Sequence, residues 1–316
     1  MSGTPGALGN PGTSAVVFAY HSFGSAGLAA LQRAGITVRR VFSHRDSPSE
    51  HIWWDSVADW CSAHGVPCEL DADLKDPAVL ARIAGDAPDF IFSFYFRHMI
   101  PEAVLALARR GAFNLHGSLL PKFRGRSPIN WQLVHGVERS GLSLHRMVRK
   151  ADAGEVVAQQ AVPVHADQDA LGLTRQLLAV TPALLDRAVP ALVAGTASFS
   201  IQDHAQATYF GGRKPADGLI DWRQPARVVH NLVRAVAPPW PGAFTFFVGD
   251  GLAERKILVW RTAVISERSR YGTPGTVLGD GSVACGMGAV ALLSLTAEDE
   301  TPVALPPGAR LMAPQP

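Results

Sequence analysis

Short apolar runs alternate along the first half of the chain with stretches whose apolar residues recur at helical spacing. "AVVFAY" (15–20) is a β-branched run of the kind that fills a buried strand, and "SAGLAALQRAG" (25–35) follows with helical spacing and a glycine stop. "ITVRRVFS" (36–43) reads as the next strand. Residues 53–64 read as a helix with Trp53, Val57 and Trp60 on one side, and "DPAVLARIAG" (76–85) as a helix with Asp76 as its N-cap and Pro77 in its first turn. "DFIFSFY" (89–95) and "GAFNLH" (111–116) are strands, and "PEAVLALARR" (101–110) between them predicts a helix opened by Pro and Glu and closed by two arginines. Strands alternating with helices imply a parallel sheet whose ligands bind beyond the strands' carboxyl ends. His21, His98 and His116 fall at the ends of three of these strands, so one edge collects three imidazoles.

A helix is expected near 127–136. "GLSLHRMVRK" and "EVVAQQAVPV" then flank the tight "ADAGE" turn as a hairpin, and a long helix runs from about 169 to 194 before Gly195. From about 206 the texture changes to short strands between Gly/Pro turns: "LIDW", "AFTFFV", "KILVW", "GTVL" and "AVALLSL". That pattern predicts a smaller, mainly β second domain with a barrel as its form. The domain plan is a flexible leader over 1–14, an α/β domain over 15–203 and the β domain over 204–316.

Composition narrows the function classes. Of the 316 residues 47% are hydrophobic and 18% charged, and the net charge is only +2, with no basic stripe, so a nucleic-acid partner is not favoured. Three cysteines, Cys61, Cys68 and Cys285, form no paired framework, which suits a reducing, cytoplasmic setting. The opening "MSGTPGALGNPGTS" lacks the features of a signal peptide. No apolar stretch is expected to reach the length that spans a bilayer, so no membrane insertion is expected.

Candidate chemistry centres on Asn114, His116 and Asp152. An imidazole takes a proton from an attacking amine near neutral pH, an amide N–H stabilises an oxyanion, and a carboxylate raises the basicity of a nearby imidazole. Asn114 and His116 alternate on an extended segment and so face the same way. Asp152 lies in a turn where Gly154 is expected to supply an unusual backbone conformation. Each residue alone is more often a capping group than a catalyst. No H-x-x-x-H or H-E-x-x-H pair occurs, so no metal is expected. The first βα turn has Gly24 and Gly27 but no G-x-G-x-x-G, which argues against a dinucleotide, and Gly24 is expected to serve the turn. In "PKFRGRSP", Arg124 and Arg126 offer forked donors suited to a phosphate, or Gly125 simply hinges a solvated turn. Trp240, among prolines, walls a ligand or plugs a domain junction.

"FNLHGSLLPKFRGRSPINW", "LHRMVRKADAGEVVAQ" and "NLVRAVAPPWPGAF", with "VVFAYHSFG" and "FIFSFYFRHMI", resemble the N10-formyltetrahydrofolate-dependent formyltransferases in order over roughly residues 15–262. Within that family the chain looks most like the branch that formylates UDP-4-amino-4-deoxy-L-arabinose in lipid A modification and polymyxin resistance. The resemblance implies a Rossmann-like catalytic domain followed by an OB-like β-barrel domain. It implies Asn114 as oxyanion stabiliser, His116 as base or proton carrier, and Asp152 as the carboxylate that raises its basicity. It implies N10-formyltetrahydrofolate as co-substrate, bound by His98, Met99, Ile100, Arg126, Val148, Arg149, Lys150, Ala151 and Asp152. The implied partner is a nucleotide-linked amino sugar, with a homo-oligomer or a separate decarboxylase domain as further partners. A tRNA acceptor is disfavoured, because "FSHRDSPSEHIWWDSVADWCSAHG" holds one Arg against four acids where tRNA enzymes carry a basic insertion. A Phe-Gly-Arg-Arg run of the family reads Phe210-Gly211-Gly212-Arg213 here.

Overall fold

The computed structural model describes residues 12–48, 51–247 and 255–312. The expected leader, up to residue 11, lies outside them. The chain forms two compact units. The first takes the described residues of 1–125, 140–162 and 175–210, and the second those of 126–139, 163–174 and 211–316.

The first unit is built on β1 (Ser14–Ala19), α1 (His21–Arg33), β2 (Thr37–Ser43), α2 (Val57–Ala63), β3 (Cys68–Leu70), α3 (Pro77–Asp86), β4 (Phe90–Phe94), α4 (Glu102–Leu105) and β5 (Gly111–His116). The short β6 (Arg124–Gly125) follows; α5 (Pro128–Val134) belongs to the second unit; then come β7 (Arg139–Arg146), β8 (Val156–Pro163), the long α6 (Ala170–Ala194) and β9 (Tyr209–Phe210). The main sheet has the order β3-β2-β1-β4-β5-β7-β8. Strands β1 to β5 are mutually parallel and β7 runs antiparallel to β5. Every β1 residue is buried, as is every β4 residue, which is why these strands read as unbroken apolar runs. β1 has β2 on one side and β4 on the other, so the strand order reverses beside it and opens a crevice at the carboxyl edge.

Local chemistry explains both the agreements and the departures. Asp76 caps α3, accepting from the Ala78 N–H at 2.8 Å, as its spacing predicts. The helix expected over 101–110 is only the four residues of α4, because the Arg109 and Arg110 N–H groups donate to Pro88 and Asp89 carbonyls instead of continuing the turn. Gly24 lies inside α1, where a Cβ would stand 2.7 Å from Val57 Cγ2, and one at Gly27 would stand 2.3 Å from the Phe94 ring. These glycines therefore let the helix lie close to its neighbours; the left-handed turn residue is His21 (φ 63°). Contrary to the sequence expectation, α6 is long and apolar enough to cross a membrane by length and composition. It instead buries Leu177, Leu184, Leu185 and Val189, and its Asp186 pairs with Arg33 at 2.8 Å.

In the second unit α7 (Ala226–Ala235), which the sequence reading passed over, packs with β10 (Ala243–Phe247), β11 (Arg255–Ser266), β12 (Ser282–Ala284), β13 (Ala289–Ala297) and β14 (Leu311–Met312). These strands form an antiparallel sheet in the order β12-β13-β11-β10-β14. "LIDW" and "GTVL" contribute only isolated bridges. Trp240 packs on this unit's own core cluster, to which Val229 and Val259 belong. A Rossmann-like parallel sheet with a small antiparallel half-barrel is thus the fold.

Candidate active site

Antiparallel pairing of β5 with β7 sets His145 directly opposite Asn114. Cross-strand neighbours lie within reach of each other, and the Asn114 amide donates to His145 Nε2 at 3.2 Å. On the other side of its ring, His145 Nδ1 donates to the Arg146 carbonyl at 2.9 Å, which leaves Nε2 as the acceptor. One N–H of Asn114 is therefore fixed and its amide orientation with it.

Beyond β7 the chain turns back through Asp152, which adopts a left-handed conformation (φ 54°). Gly154 does not supply this conformation, as had been expected. It is needed because a Cβ there would stand 2.1 Å from the Arg146 carbonyl oxygen. In this turn Asp152 Oδ2 accepts from the Gly125 N–H at 2.8 Å, while Oδ1 lies 3.4 Å from His145 Nε2 and 3.7 Å from His116 Nδ1. His116 Nε2 donates to the Phe123 carbonyl at 2.7 Å. Its Nδ1, facing the carboxylate, is therefore the nitrogen that gains a proton.

Burial drives the His116 pKa below the ordinary imidazole value, against the opposing pull of Asp152 and the Phe123 bond. For Asp152, burial alone would raise the pKa, but the neighbouring His116 and the Gly125 N–H oppose it, and the carboxyl is held well below its usual range. At neutral pH the pair is a neutral imidazole facing a carboxylate: a base with a ready stabiliser for its cation.

The other expected residues do not join this cluster. His98 and Met99 are exposed after β4, Met99 by 65%, while Ile100 turns into a core cluster with Val16 and Phe18. Val148, Arg149 and Lys150 are exposed after β7, and Ala151 and Asp152 are half-buried. Arg126 is exposed in the second unit, where a Cβ on Gly212 would meet its guanidinium at 3.4 Å. The departure from Phe-Gly-Arg-Arg thus falls beside Arg126. Arg124 does not offer its fork to a phosphate. It is fully buried and bonded to Gln202, His204 and Tyr209. His145 and Gln202 were missed from the sequence. His145 stands on a strand that the sequence predicts only as one arm of a hairpin, with no pairing to the Asn/His segment, whereas Gln202 lies in irregular chain with no periodic signal.

The formyl transferase family model matches residues 14–189 and its C-terminal domain model matches residues 213–306. The chain belongs to the formyl transferase family. Among solved structures, this formyltransferase is similar in fold to WlaRD, a sugar 3N-formyl transferase determined with dTDP and 5-N-formyl-THF (TM-score 0.65, 14% identity, covering 90% of this chain and 97% of that one). It is also similar to the N-formyltransferase of Helicobacter canadensis in complex with folinic acid and dTDP-3-aminofucose (TM-score 0.64, 14% identity, 89% and 99% coverage). HypX of Aquifex aeolicus, solved with tetrahydrofolic acid, matches this formyltransferase with a TM-score of 0.56 and 18% identity, over 92% of this chain and 45% of HypX.

Proposed function

We propose that the enzyme transfers the formyl group of N10-formyltetrahydrofolate to the amino group of a nucleotide-linked amino sugar. UDP-4-amino-4-deoxy-L-arabinose is the acceptor its sequence favours, in lipid A modification and polymyxin resistance. The observation that carries this reading is the cluster of Asn114, His116, His145 and Asp152 at the carboxyl edge of the sheet. A donor with one spare N–H, a neutral imidazole and a fixed carboxylate suit acyl transfer to an amine.

The steps follow from these groups. The acceptor nitrogen attacks the formyl carbon, and negative charge collects on the formyl oxygen. Asn114 meets it with the N–H that His145 leaves free, an interaction worth ~3 kcal/mol in other enzymes. The proton of the attacking nitrogen passes to His116 Nδ1, whose cation Asp152 stabilises. As the intermediate collapses, the bond to N10 breaks and N10 takes up the proton. The products are a formamide and tetrahydrofolate.

For the formyl donor we assign His98, Met99, Ile100, Arg126 and Val148 to Asp152. β4 and β7 flank β5 on either side; the segment that leaves β4 lies at the carboxyl edge, and the segment that leaves the antiparallel β7 turns back to bring Asp152 beside His116. Exposed Met99 and Val148 supply apolar surface suited to a flat heterocycle. The catalytic domain in this reading spans 15–203, the OB-like domain 204–316, and the setting is cytoplasmic. Support for a nucleotide sugar comes from the fold-level likeness to enzymes solved with dTDP or a dTDP-sugar.

The deciding experiment incubates the protein with N10-formyltetrahydrofolate, with and without UDP-4-amino-4-deoxy-L-arabinose, and reads products by mass spectrometry. The expected result is a formylated UDP-sugar in the complete mixture only. Formate release without acceptor would mark a hydrolase instead. Turnover with a dTDP amino sugar or a charged initiator tRNA alone would overturn the acceptor.

A further inference from the structure

We infer that Gln202 is a positioning residue of the transfer reaction: clasped by the buried Arg124 guanidinium, its amide holds the turn that aims the Asp152 carboxylate at His116. The inference rests on the roles given above to Asp152 and His116.

Gln202 is only 5% exposed. Its Oε1 accepts from Arg124 Nε at 3.2 Å and Nη2 at 2.7 Å. A guanidinium has donors only, so this contact settles which end of the amide is the oxygen. The NH2 group must then face the other way, where it donates to the Asp152 carbonyl at 2.9 Å and the Gly154 carbonyl at 2.6 Å. The first of those carbonyls is that of Asp152 itself, a left-handed residue that carries a Cβ, in a conformation that persists only where its surroundings hold it. Gln202 supplies two of the holding bonds.

Arg124 has no solvent exposure, and its side-chain acceptors are Gln202, His204 Nδ1 (3.0 Å) and the Tyr209 hydroxyl, none of them a carboxylate. Burying a guanidinium among neutral acceptors is costly, and its return here is geometric, since the planar fork fixes the three groups at once. The same strap fixes the other partner. Thr208 receives the Phe123 N–H on its hydroxyl (2.8 Å) and the Arg124 N–H on its carbonyl (2.9 Å), and the Phe123 ring stacks on Phe210. The Phe123 carbonyl is the group that accepts the hydrogen bond from His116 Nε2–H. Residues 202–210 therefore hold both ends of the His116–Asp152 pair.

Two substitutions separate positioning from mere support. Gln202→Met removes donors and acceptor together; Gln202→Glu returns an acceptor to Arg124 and recovers stability but offers no donor to the turn. The expected result is a fall of about 10- to 50-fold in kcat for formyl transfer to UDP-4-amino-4-deoxy-L-arabinose in both variants, with KM for the formyl donor within about threefold. A second readout needs no acceptor. In 15N-histidine NMR titrations, with His116 assigned by its loss in His116→Ala, the His116 pKa should fall in Gln202→Met towards its value in Asp152→Asn. Recovery of kcat to within twofold in Gln202→Glu would overturn the inference, as would a His116 titration in Gln202→Met identical to wild type while Asp152→Asn shifts it. If Asp152→Asn leaves that titration unmoved, the pairing itself fails and the inference falls with it. Should Gln202→Met fail to fold, the kinetics of Gln202→Glu alone carry the test.

Discussion

His116 works through two contacts of opposite kind. The Phe123 carbonyl fixes which nitrogen carries the proton, and Asp152 stabilises the cation formed when the other gains one. Burial has already lowered its pKa, so the free enzyme presents a neutral base at neutral pH. Activity should therefore rise with pH through a limb in kcat/KM that lies below the ordinary imidazole value. Asp152 opposes the lowering, so Asp152→Asn must move that limb further down and weaken the base. We expect the substitution to reduce kcat about 100-fold, and His116→Ala at least as much, with the fold intact by circular dichroism. A limb that moves upward in Asp152→Asn, or a near-normal rate in His116→Ala, would contradict these roles.

At the scale of elements, the site depends on how closely β6 and β9 approach. Gly125 has φ +99°, and a Cβ there would stand 2.2 Å from the Phe210 carbonyl oxygen. Gly125→Ala should therefore part the two strands, pull the Gly125 N–H from Asp152 and cost about 1–3 kcal/mol. Urea denaturation gives the cost, and a fall in kcat without a matching rise in KM reports the displaced carboxylate; an unchanged midpoint and rate would refute the account. The sequence made Gly125 legible as a hinge but not as a close contact, because β9 is two residues of irregular chain that nothing periodic announces. The contrast with β5 is instructive. Asn114 and His116 stand on a strand whose boundaries were read correctly, and alternation alone put them on one face. His145 needed the register of β5 against β7, which apolar patterning leaves open. The shortened α4 was misread for a related reason, since its backbone donors go to distant carbonyls.

For the whole molecule, buried imidazoles set the response to acid. His21 sits amid Phe23, Trp53, Trp54 and Tyr95, and among the described residues its Nδ1 has no hydrogen-bond partner. Burial, with the nearby Arg97 charge, lowers its pKa to about 3. His44 is lowered to about 4, by burial first and then by His98 and Arg97. Both are neutral in the folded state, while the unfolded chain takes up their protons near pH 6.5. Below that pH the unfolded state binds more protons, so stability present above pH 6.5 is lost as the pH falls towards 4 for His44 and 3 for His21. Each group contributes a slope of at most about 1.4 kcal/mol per pH unit. Carboxylates held by arginines, such as Glu69, have lowered pKa values and add their losses mainly below about pH 4.5. Denaturation between pH 7.5 and 4.5 isolates the histidines. His21→Asn, which tolerates the left-handed backbone, should start less stable at pH 7.5 because it leaves a cavity, yet lose stability less steeply on acidification. The slope rather than the offset carries the test, and equal slopes in variant and wild type would mean that His21 is protonated without cost in the fold.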